Sequence, residues 1–188
     1  MSECVIFFGG YQATQSNIDA WLNSATGQRS DIEFSAFPWP HGASSDAKSA
    51  VATFTKSGQY KSAVAAIQAS KADKIYIVGH SSGCAIANAV DKGLQDTSKV
   101  ALVALDGFTP DVGQLKRTST QVWGAICDGV KSMNYPGLDG GRRKVYEAKD
   151  CKTKWALHFS LVNAAATDRL VTSIASGYAQ CRANLAWL

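Results

Sequence analysis

Residues 79–83, Gly-His-Ser-Ser-Gly, have the G-x-S-x-G spacing that accompanies serine nucleophiles. A strand-forming apolar run, KIYIV, precedes them, and a run of small, mostly apolar residues, CAIANAV, follows them. Between a buried strand and a helix, a sharp turn lifts a serine hydroxyl above the strand end, and the helix N-terminus directs partial positive charge towards it. We therefore predict that Ser81 is a nucleophile in acyl-transfer chemistry, with a covalent acyl-enzyme as intermediate.

A serine hydroxyl at neutral pH needs a base that accepts its proton, and the chain has three histidines. His80 is the neighbour of the nucleophile, so we expect it to point away from the reacting atoms and to pack. His41 lies in a proline-containing loop, where a surface position is expected. His158 comes after the last predicted strand and before the last predicted helix, where the chain order serine, acid, histidine requires the base. We predict His158 as the general base.

An acid must orient this base, and two aspartates directly follow predicted strands: Asp106 and Asp128. Asp139 and Asp150 are weaker candidates, because they lie in loops rich in glycine and lysine. The residues by themselves leave the choice between Asp106 and Asp128 open. We expect the aspartate that is not the acid to have a structural role, such as capping a loop or helix start.

These side chains need a scaffold that brings strand ends together, and the hydrophobic pattern predicts one. Apolar runs bounded by glycine, proline or polar residues predict strands at 4–8, 31–37, 74–79, 99–105, 121–127 and 143–148. Apolar residues at helical spacing predict helices at 16–25, 59–71, 84–94 and 159–185. Strands that alternate with helices indicate an α/β fold, with a mainly parallel six-stranded sheet flanked by helices on both faces.

The composition is that of one folded domain spanning residues 1–188. Hydrophobic residues make up 46% of the chain, enough for a core, and charged residues only 18%, which argues against a disordered tail. The net charge of +4 is small, and the lysines and arginines are scattered apart from one basic triplet at 142–144. Nucleic-acid binding surfaces concentrate positive charge beside stacking aromatics, so we expect no nucleic-acid partner.

The five cysteines are widely spaced and form no CxxC pair, so the sequence predicts neither a zinc cluster nor a complete disulfide framework. We expect reduced thiols and a cytoplasmic location. The first residues run straight into a strand without the features of a signal peptide, and no apolar run approaches the roughly 20 residues that span a bilayer. No phosphate loop, dinucleotide fingerprint or metal-ligand spacing occurs, so no cofactor is expected.

Nearly the whole chain resembles the α/β-hydrolase superfamily. VIFFGGYQ looks like its first strand and oxyanion loop, GHSSG like its nucleophile elbow and LHFSLV like its histidine loop. The short segment 107–120, where larger relatives insert a cap, resembles the minimal, lidless members such as small bacterial lipases. The phrases LVALDGFTP and LHFSLV look more like the thioesterase branch, whose acid follows the strand that precedes Asp106 here. The resemblance to this branch favours Asp106 as the acid over Asp128, whose position is the commoner one across the superfamily.

The resemblance also implies an oxyanion hole formed by the backbone N–H of Ser82 and that of Gly10 or Tyr11. Minimal lipases usually carry His-Gly in the first loop, whereas this chain has Gly9-Gly10, which keeps the backbone donors. Aromatic residues on loops at the C-terminal edge of the sheet are candidates for an acyl-binding pocket: Tyr11, Trp39, Phe108 and Trp155. For the two tryptophans, a role in covering the core is an equal alternative.

We therefore expect a serine hydrolase that cleaves carboxylic esters or thioesters, with a small-molecule or carrier-bound acyl group as substrate. One alternative is an acyltransferase that uses the same triad and an alcohol or amine in place of water. The other is a hydrolase-like protein that binds without catalysis. The sequence leaves the acyl chain, the leaving group and the oligomeric state open.

Overall fold

The computed structural model describes residues 2–19, 32–44, 46–105, 121–126 and 143–147, with residue 47 and the last two ranges in the backbone only. Six strands of these residues form one parallel sheet in the order β2-β1-β3-β4-β5-β6. The strands are β1 Glu3–Phe8, β2 Ile32–Phe37, β3 Lys74–His80, β4 Val100–Leu105, β5 Gln121–Ile126 and β6 Arg143–Glu147. The helices bounded within them are α1 Ala47–Thr55, α2 Gly58–Ala69 and α3 Gly83–Gly93. The predicted α/β architecture with a parallel sheet is confirmed.

The inner strands β1, β3 and β4 are apolar almost throughout because both of their faces are buried. Alternate residues of these strands form a core cluster with the three helices: Cys4, Ile6, Phe8, Ile75, Ile77, Val100 and Leu102. The residues between them lie on the opposite face and are buried as well: Val5, Phe7, Tyr76, Val78, Ala101 and Val103. The three continuous apolar runs of the sequence are therefore the central strands, because a central strand of a parallel sheet is buried on both faces.

Helix α1 was not predicted from the sequence, and its apolar side is short. Its start is fixed by Asp46, whose carboxylate accepts the backbone N–H of Ser49 at 2.7 Å. Its end is held by Phe54, which is fully buried and packs edge-on against Phe8 with ring centroids 5.5 Å apart. Ala50, one turn before Phe54, completes the buried side. The signal in the sequence was the aspartate cap three residues before a serine, followed by alanine and phenylalanine at helical spacing.

The other described elements match the predicted ones, with boundaries that differ by one or two residues. Helix α2 begins at Gly58, because the Ser57 hydroxyl accepts the N–H of Tyr60 at 3.4 Å as its cap. Residues 15–19 are helical, as predicted for the start of helix 16–25. The rest of that helix and the predicted helix 159–185 lie outside the described residues.

The two cysteines among the described residues, Cys4 and Cys84, are buried, and neither is in a disulfide. Burial raises the pKa of the Cys4 thiol, since the thiolate would lose its hydration inside the sheet. Cys4 therefore stays protonated and behaves as a small apolar core residue. None of the described helices has the length and apolar character that a membrane crossing would require.

Two glycines let α3 lie directly on the sheet. A Cβ atom at Gly79, in β3, would lie 2.5 Å from the Cα and 2.7 Å from the backbone nitrogen of Cys84 in α3. A Cβ atom at Gly83, the first residue of α3, would overlap the carbonyl oxygens of Phe8 and Gly9 at the end of β1. No side chain fits at either position without moving backbone.

We expect Gly79→Ala to lower the free energy of unfolding by about 2–3 kcal/mol, because the added methyl group meets backbone atoms that have no room to move. The matched control is Gly58→Ala, at the first residue of α2, where no atom lies within 4 Å of an added Cβ. That variant should keep or gain stability, by up to about 1 kcal/mol, because alanine is the better helix former. Urea denaturation measures both changes, and equal losses would contradict the close contact.

Candidate active site

The order of the strands places the candidate site at the C-terminal ends of β1 and β3. From β1 the chain adds β2 on one side and then β3 and β4 on the other, so the strand order reverses between β1 and β3. The loops that leave the two strands diverge at such a point and open a crevice, which is where open α/β sheets bind ligands. The first loop begins at Gly9, and the second is the turn that holds Ser81.

Ser81 stands at a strained strand-to-helix turn. Its φ is +53°, in the left-handed region that a side chain disfavours. Two hydrogen bonds hold it there: its N–H donates to the carbonyl of Leu105 at 3.0 Å, and its own carbonyl accepts the N–H of Cys84 at 3.1 Å. The turn therefore ties the end of β3 to the end of β4 on one side and to the first turn of α3 on the other.

Helix α3 begins immediately after this turn, with Ser82 as the N-cap residue. The Ser82 side chain makes no capping hydrogen bond, and its backbone is right-handed, with φ −60° and ψ −23°. The first backbone N–H groups of a helix have no partner within the helix and carry partial positive charge. The N-terminus of α3 therefore adjoins Ser81, where it favours negative charge on a bound oxygen.

The loop after β1 lies against the serine. A Cβ atom at Gly10 would lie 2.9 Å from the Cβ of Ser81 and 3.0 Å from the carbonyl oxygen of His80. Only glycine permits this approach, which brings the backbone of Gly10 close to Ser81. Ala13 closes the loop as a tight turn, donating its N–H to the Gly10 carbonyl at 2.9 Å.

An aromatic pair borders the same loop. Tyr11 and Trp39 pack edge to face with ring centroids 5.8 Å apart and an interplanar angle of 89°. Trp39 is 8% exposed, and its indole N–H donates to the carbonyl of Ala43 at 3.4 Å, whereas Tyr11 is 46% exposed. Trp39 therefore belongs to the core and supports Tyr11, which follows Gly10 in the chain and presents an aromatic surface to solvent.

The loops after β1 and β2 are joined by backbone hydrogen bonds as well. The N–H of Gly9 donates to the carbonyl of Phe37 at 3.0 Å, and the N–H of Trp39 donates to the carbonyl of Ala13 at 3.0 Å. Because these two bonds span the whole turn, the loop beside Ser81 is fixed at both ends.

Two histidines lie among the described residues. His80 is the last residue of β3 and is 7% exposed, and its Nδ1 would be 3.5 Å from a Cβ atom at Gly10. It therefore packs beneath the loop after β1. His41 is exposed in the turn after β2, as expected for a surface residue.

Cys84 contributes a contact that sequence reasoning missed. Its thiol donates to the carbonyl of Gly79 at 3.0 Å and lies 4.0 Å from the carbonyl oxygen of Leu105. The thiol thus bridges the first turn of α3 to the ends of β3 and β4. The sequence shows a cysteine three residues after the serine. A cysteine at that position does not predict which carbonyl its thiol will contact.

Comparison with known proteins gives no family. No family model matches the chain, and no curated protein matches it. Among solved structures, it is similar to a protein from Xanthomonas campestris pv. campestris named as a putative hydrolase of the alpha/beta superfamily, with 14% identity and a TM-score of 0.45. The similarity covers 80% of this chain and 87% of the other. The likeness is too distant to carry a conclusion about this chain.

Five of the predicted site residues are described. Ser81 and Ser82 stand at the turn, and Gly10 lies against Ser81 with Tyr11 following it. Trp39 contacts Tyr11. The remaining predicted residues lie outside the described part of the chain: Asp106, Phe108, Asp128, Trp155 and His158. Within the part that is described, no three His, Cys, Asp or Glu side chains come together as a metal site.

We expect Ser81→Gly to raise the free energy of unfolding by about 1 kcal/mol, because glycine adopts a positive φ without the steric cost that a side chain adds. The neighbouring variant Ser82→Gly is the matched control, since Ser82 has an ordinary right-handed backbone. It should lose about 0.5 kcal/mol, because glycine gains freedom in the unfolded chain. Chemical denaturation of the two variants checks this, and stabilisation at both positions or at neither would contradict strain at Ser81.

Proposed function

We propose that the chain belongs to the α/β-hydrolase superfamily in its minimal form: one domain, a six-stranded sheet with helices on both faces, and no cap. We propose further that it is a serine hydrolase that cleaves carboxylic esters or thioesters. Ser81 is the nucleophile, His158 the general base and Asp106 the acid that orients it. The substrate is an acyl group presented by a small alcohol or thiol or by a larger carrier.

The observation that carries this proposal is the backbone of Ser81. A serine with φ +53° sits between a buried strand and a helix N-terminus, where glycine would fit at lower energy. Strain of this kind persists where the surrounding structure enforces it, and it concentrates at functional sites. The G-x-S-x-G elbow of serine hydrolases has this form, with the hydroxyl raised above the sheet.

The hydrogen bonding of the sheet supports Asp106 as the acid. Ser81 donates its N–H to the carbonyl of Leu105 at 3.0 Å, and that carbonyl belongs to the peptide bond that begins Asp106. Asp106 therefore directly follows, in the chain, the strand that is hydrogen-bonded to the turn of Ser81. Asp128 follows β5, which is one strand further from Ser81.

In the first half-reaction the Oγ of Ser81 attacks the acyl carbonyl while Nε2 of His158 accepts the hydroxyl proton. Collapse of the tetrahedral intermediate expels the alcohol or thiol, which takes that proton from His158. Water then attacks the acyl-enzyme by the same route, releases the acid and regenerates Ser81. Asp106 holds His158 in the required tautomer and stabilises the imidazolium that forms in each half-reaction.

Backbone donors stabilise the negative charge on the intermediate. One donor is the N–H of Ser82 at the start of α3, and the other is the N–H of Gly10 or Tyr11. The approach of Gly10 to the Cβ of Ser81 supports this assignment, because it brings the loop after β1 close to the residue that starts the reaction. Tyr11 offers an apolar surface for the acyl chain, with Trp39 behind it.

We expect a fluorophosphonate probe to label the wild-type protein and to leave Ser81→Ala unlabelled, because the probe reacts with an activated serine hydroxyl. Ester and thioester turnover should fall to background in the same variant. The control is Ser62→Ala, which removes an exposed hydroxyl from α2 and should change neither signal. Intact-protein mass spectrometry reads the labelling, and equal labelling of Ser81→Ala would refute the nucleophile.

Kinetic measurements on two variants distinguish the two candidate acids, Asp106 and Asp128. Asp106→Asn should lower kcat by about 10⁴-fold, because the amide favours the wrong tautomer of the base, while Asp128→Asn should cost less than about tenfold. Steady-state rates on a panel of oxygen esters and thioesters of graded chain length measure both. The reverse ranking would assign the acid to Asp128.

A further inference from the structure

The turn after β1 contains a second strained residue, Gln12. Among the described residues, only Gln12 and Ser81 combine a side chain with a positive φ, which is +62° at Gln12. Gln12 is the third residue of the turn closed by the hydrogen bond from the Ala13 N–H to the Gly10 carbonyl at 2.9 Å. A positive φ at the third residue but not at the second is the pattern of a type II turn, whose third position favours glycine or asparagine.

This turn belongs to the wall of the candidate site. Its first residue, Gly10, lies against Ser81, and its second, Tyr11, contacts Trp39. The bond from the Trp39 N–H to the Ala13 carbonyl at 3.0 Å fixes its far end. Gln12 is therefore held two residues from the contact with the nucleophile, on a backbone that does not need to rearrange when a ligand binds.

The Gln12 side chain does not contribute a hydrogen bond to the part of the fold that the structure describes. It is exposed, and no hydrogen bond joins its amide to any described residue. Gln15, three residues on, is exposed too but donates from its side chain to Asp19 at 2.8 Å. A side chain kept at a position that favours glycine, without a hydrogen-bond partner among the described residues, is explained if it contacts a ligand.

We propose that Gln12 is a specificity-determining residue that binds a secondary amide of the substrate, close to the bond that Ser81 cleaves. The proposal rests on the hydrolase function argued above. A carboxamide side chain offers one acceptor oxygen and two donor hydrogens, so it pairs with the N–H and C=O of an amide at the same time. It offers no charge, so it does not select carboxylates, phosphates or amines.

The test is a binding measurement on Ser81→Ala, because binding to this variant does not depend on turnover. The probes are two butyrate esters of matched length, one of N-acetylethanolamine and one of n-pentanol. Adding Gln12→Ala should lower the affinity for the amide ester about fivefold, which is the effect of one lost hydrogen bond. The affinity for the pentyl ester should not change. The matched control is Gln15→Ala, which should change neither affinity. Ligand-observed NMR titration gives the dissociation constants, and equal effects of Gln12→Ala on both esters, or no effect on either, would overturn the proposal.

Gln12→Gly adds an independent readout. Since glycine suits the positive φ, this variant should raise Tm by about 2 °C. It should also lower the affinity for the amide ester as much as Gln12→Ala does. A lower Tm, or full retention of amide binding, would overturn the proposal.

Turnover by the protein with Ser81 intact tests the hydrolase function separately. Amide-dependent binding without turnover of either ester would refute the hydrolase and keep the amide subsite. Turnover of both esters with no difference between Gln12→Ala and the parent would refute the subsite alone.

Discussion

Backbone lies directly on backbone where α3 meets the sheet, at Gly79 and Gly83. A side chain at either glycine would lift the helix, and with it the turn that holds Ser81. Because α3 also touches the carbonyl oxygens at the end of β1, the same contact sets the distance from Ser81 to the loop after β1. The position of the serine, the direction of the helix N-terminus and the approach of Gly10 therefore follow from a single steric condition.

The strand order places the two loops that this contact positions at the same edge of the sheet. With β1 and β3 adjacent and the chain leaving them in opposite directions, the two loops that begin there face the same crevice. The loop after β1 is rigid because two backbone hydrogen bonds join it to the end of β2 and the residues that follow. One runs from the Gly9 N–H to the Phe37 carbonyl and the other from the Trp39 N–H to the Ala13 carbonyl. The turn after β3 is rigid because the N–H of Ser81 donates a hydrogen bond to the carbonyl of Leu105. A preorganised pair of backbone segments is what stabilisation of a developing oxyanion needs.

Much of the fold was readable from the sequence, because burial on both faces leaves a continuous apolar record in β1, β3 and β4. Helix α1 was missed, since most of its residues face solvent and only Ala50 and Phe54 mark its buried side. The turn at residues 79–83 was found because glycine and serine have fixed places in it.

The rest of the candidate site had weaker signals. A left-handed glutamine at position 12 leaves no mark in the sequence, because its φ is set by a hydrogen bond between Ala13 and Gly10 rather than by its type. The choice between two aspartates that each follow a strand also needs the register, and among the described residues the Ser81 N–H is hydrogen-bonded to the Leu105 carbonyl at the end of β4. Residue types identify candidates, whereas non-local hydrogen bonds decide which of them can meet.

The strain at Ser81 and Gln12 has to be supported by the packing beneath it. Strained backbone costs of order 1–3 kcal/mol per residue, and a chain selected for stability alone would carry glycine at both positions. The support comes from the strands that lead into the two turns, where Phe8 and Val78 are essentially inaccessible to solvent. Since neither strand end can shift without opening that core, relaxation of either turn would cost more than the strain it releases. The buried ends of β1 and β3 thus support two unfavourable backbone conformations in neighbouring turns.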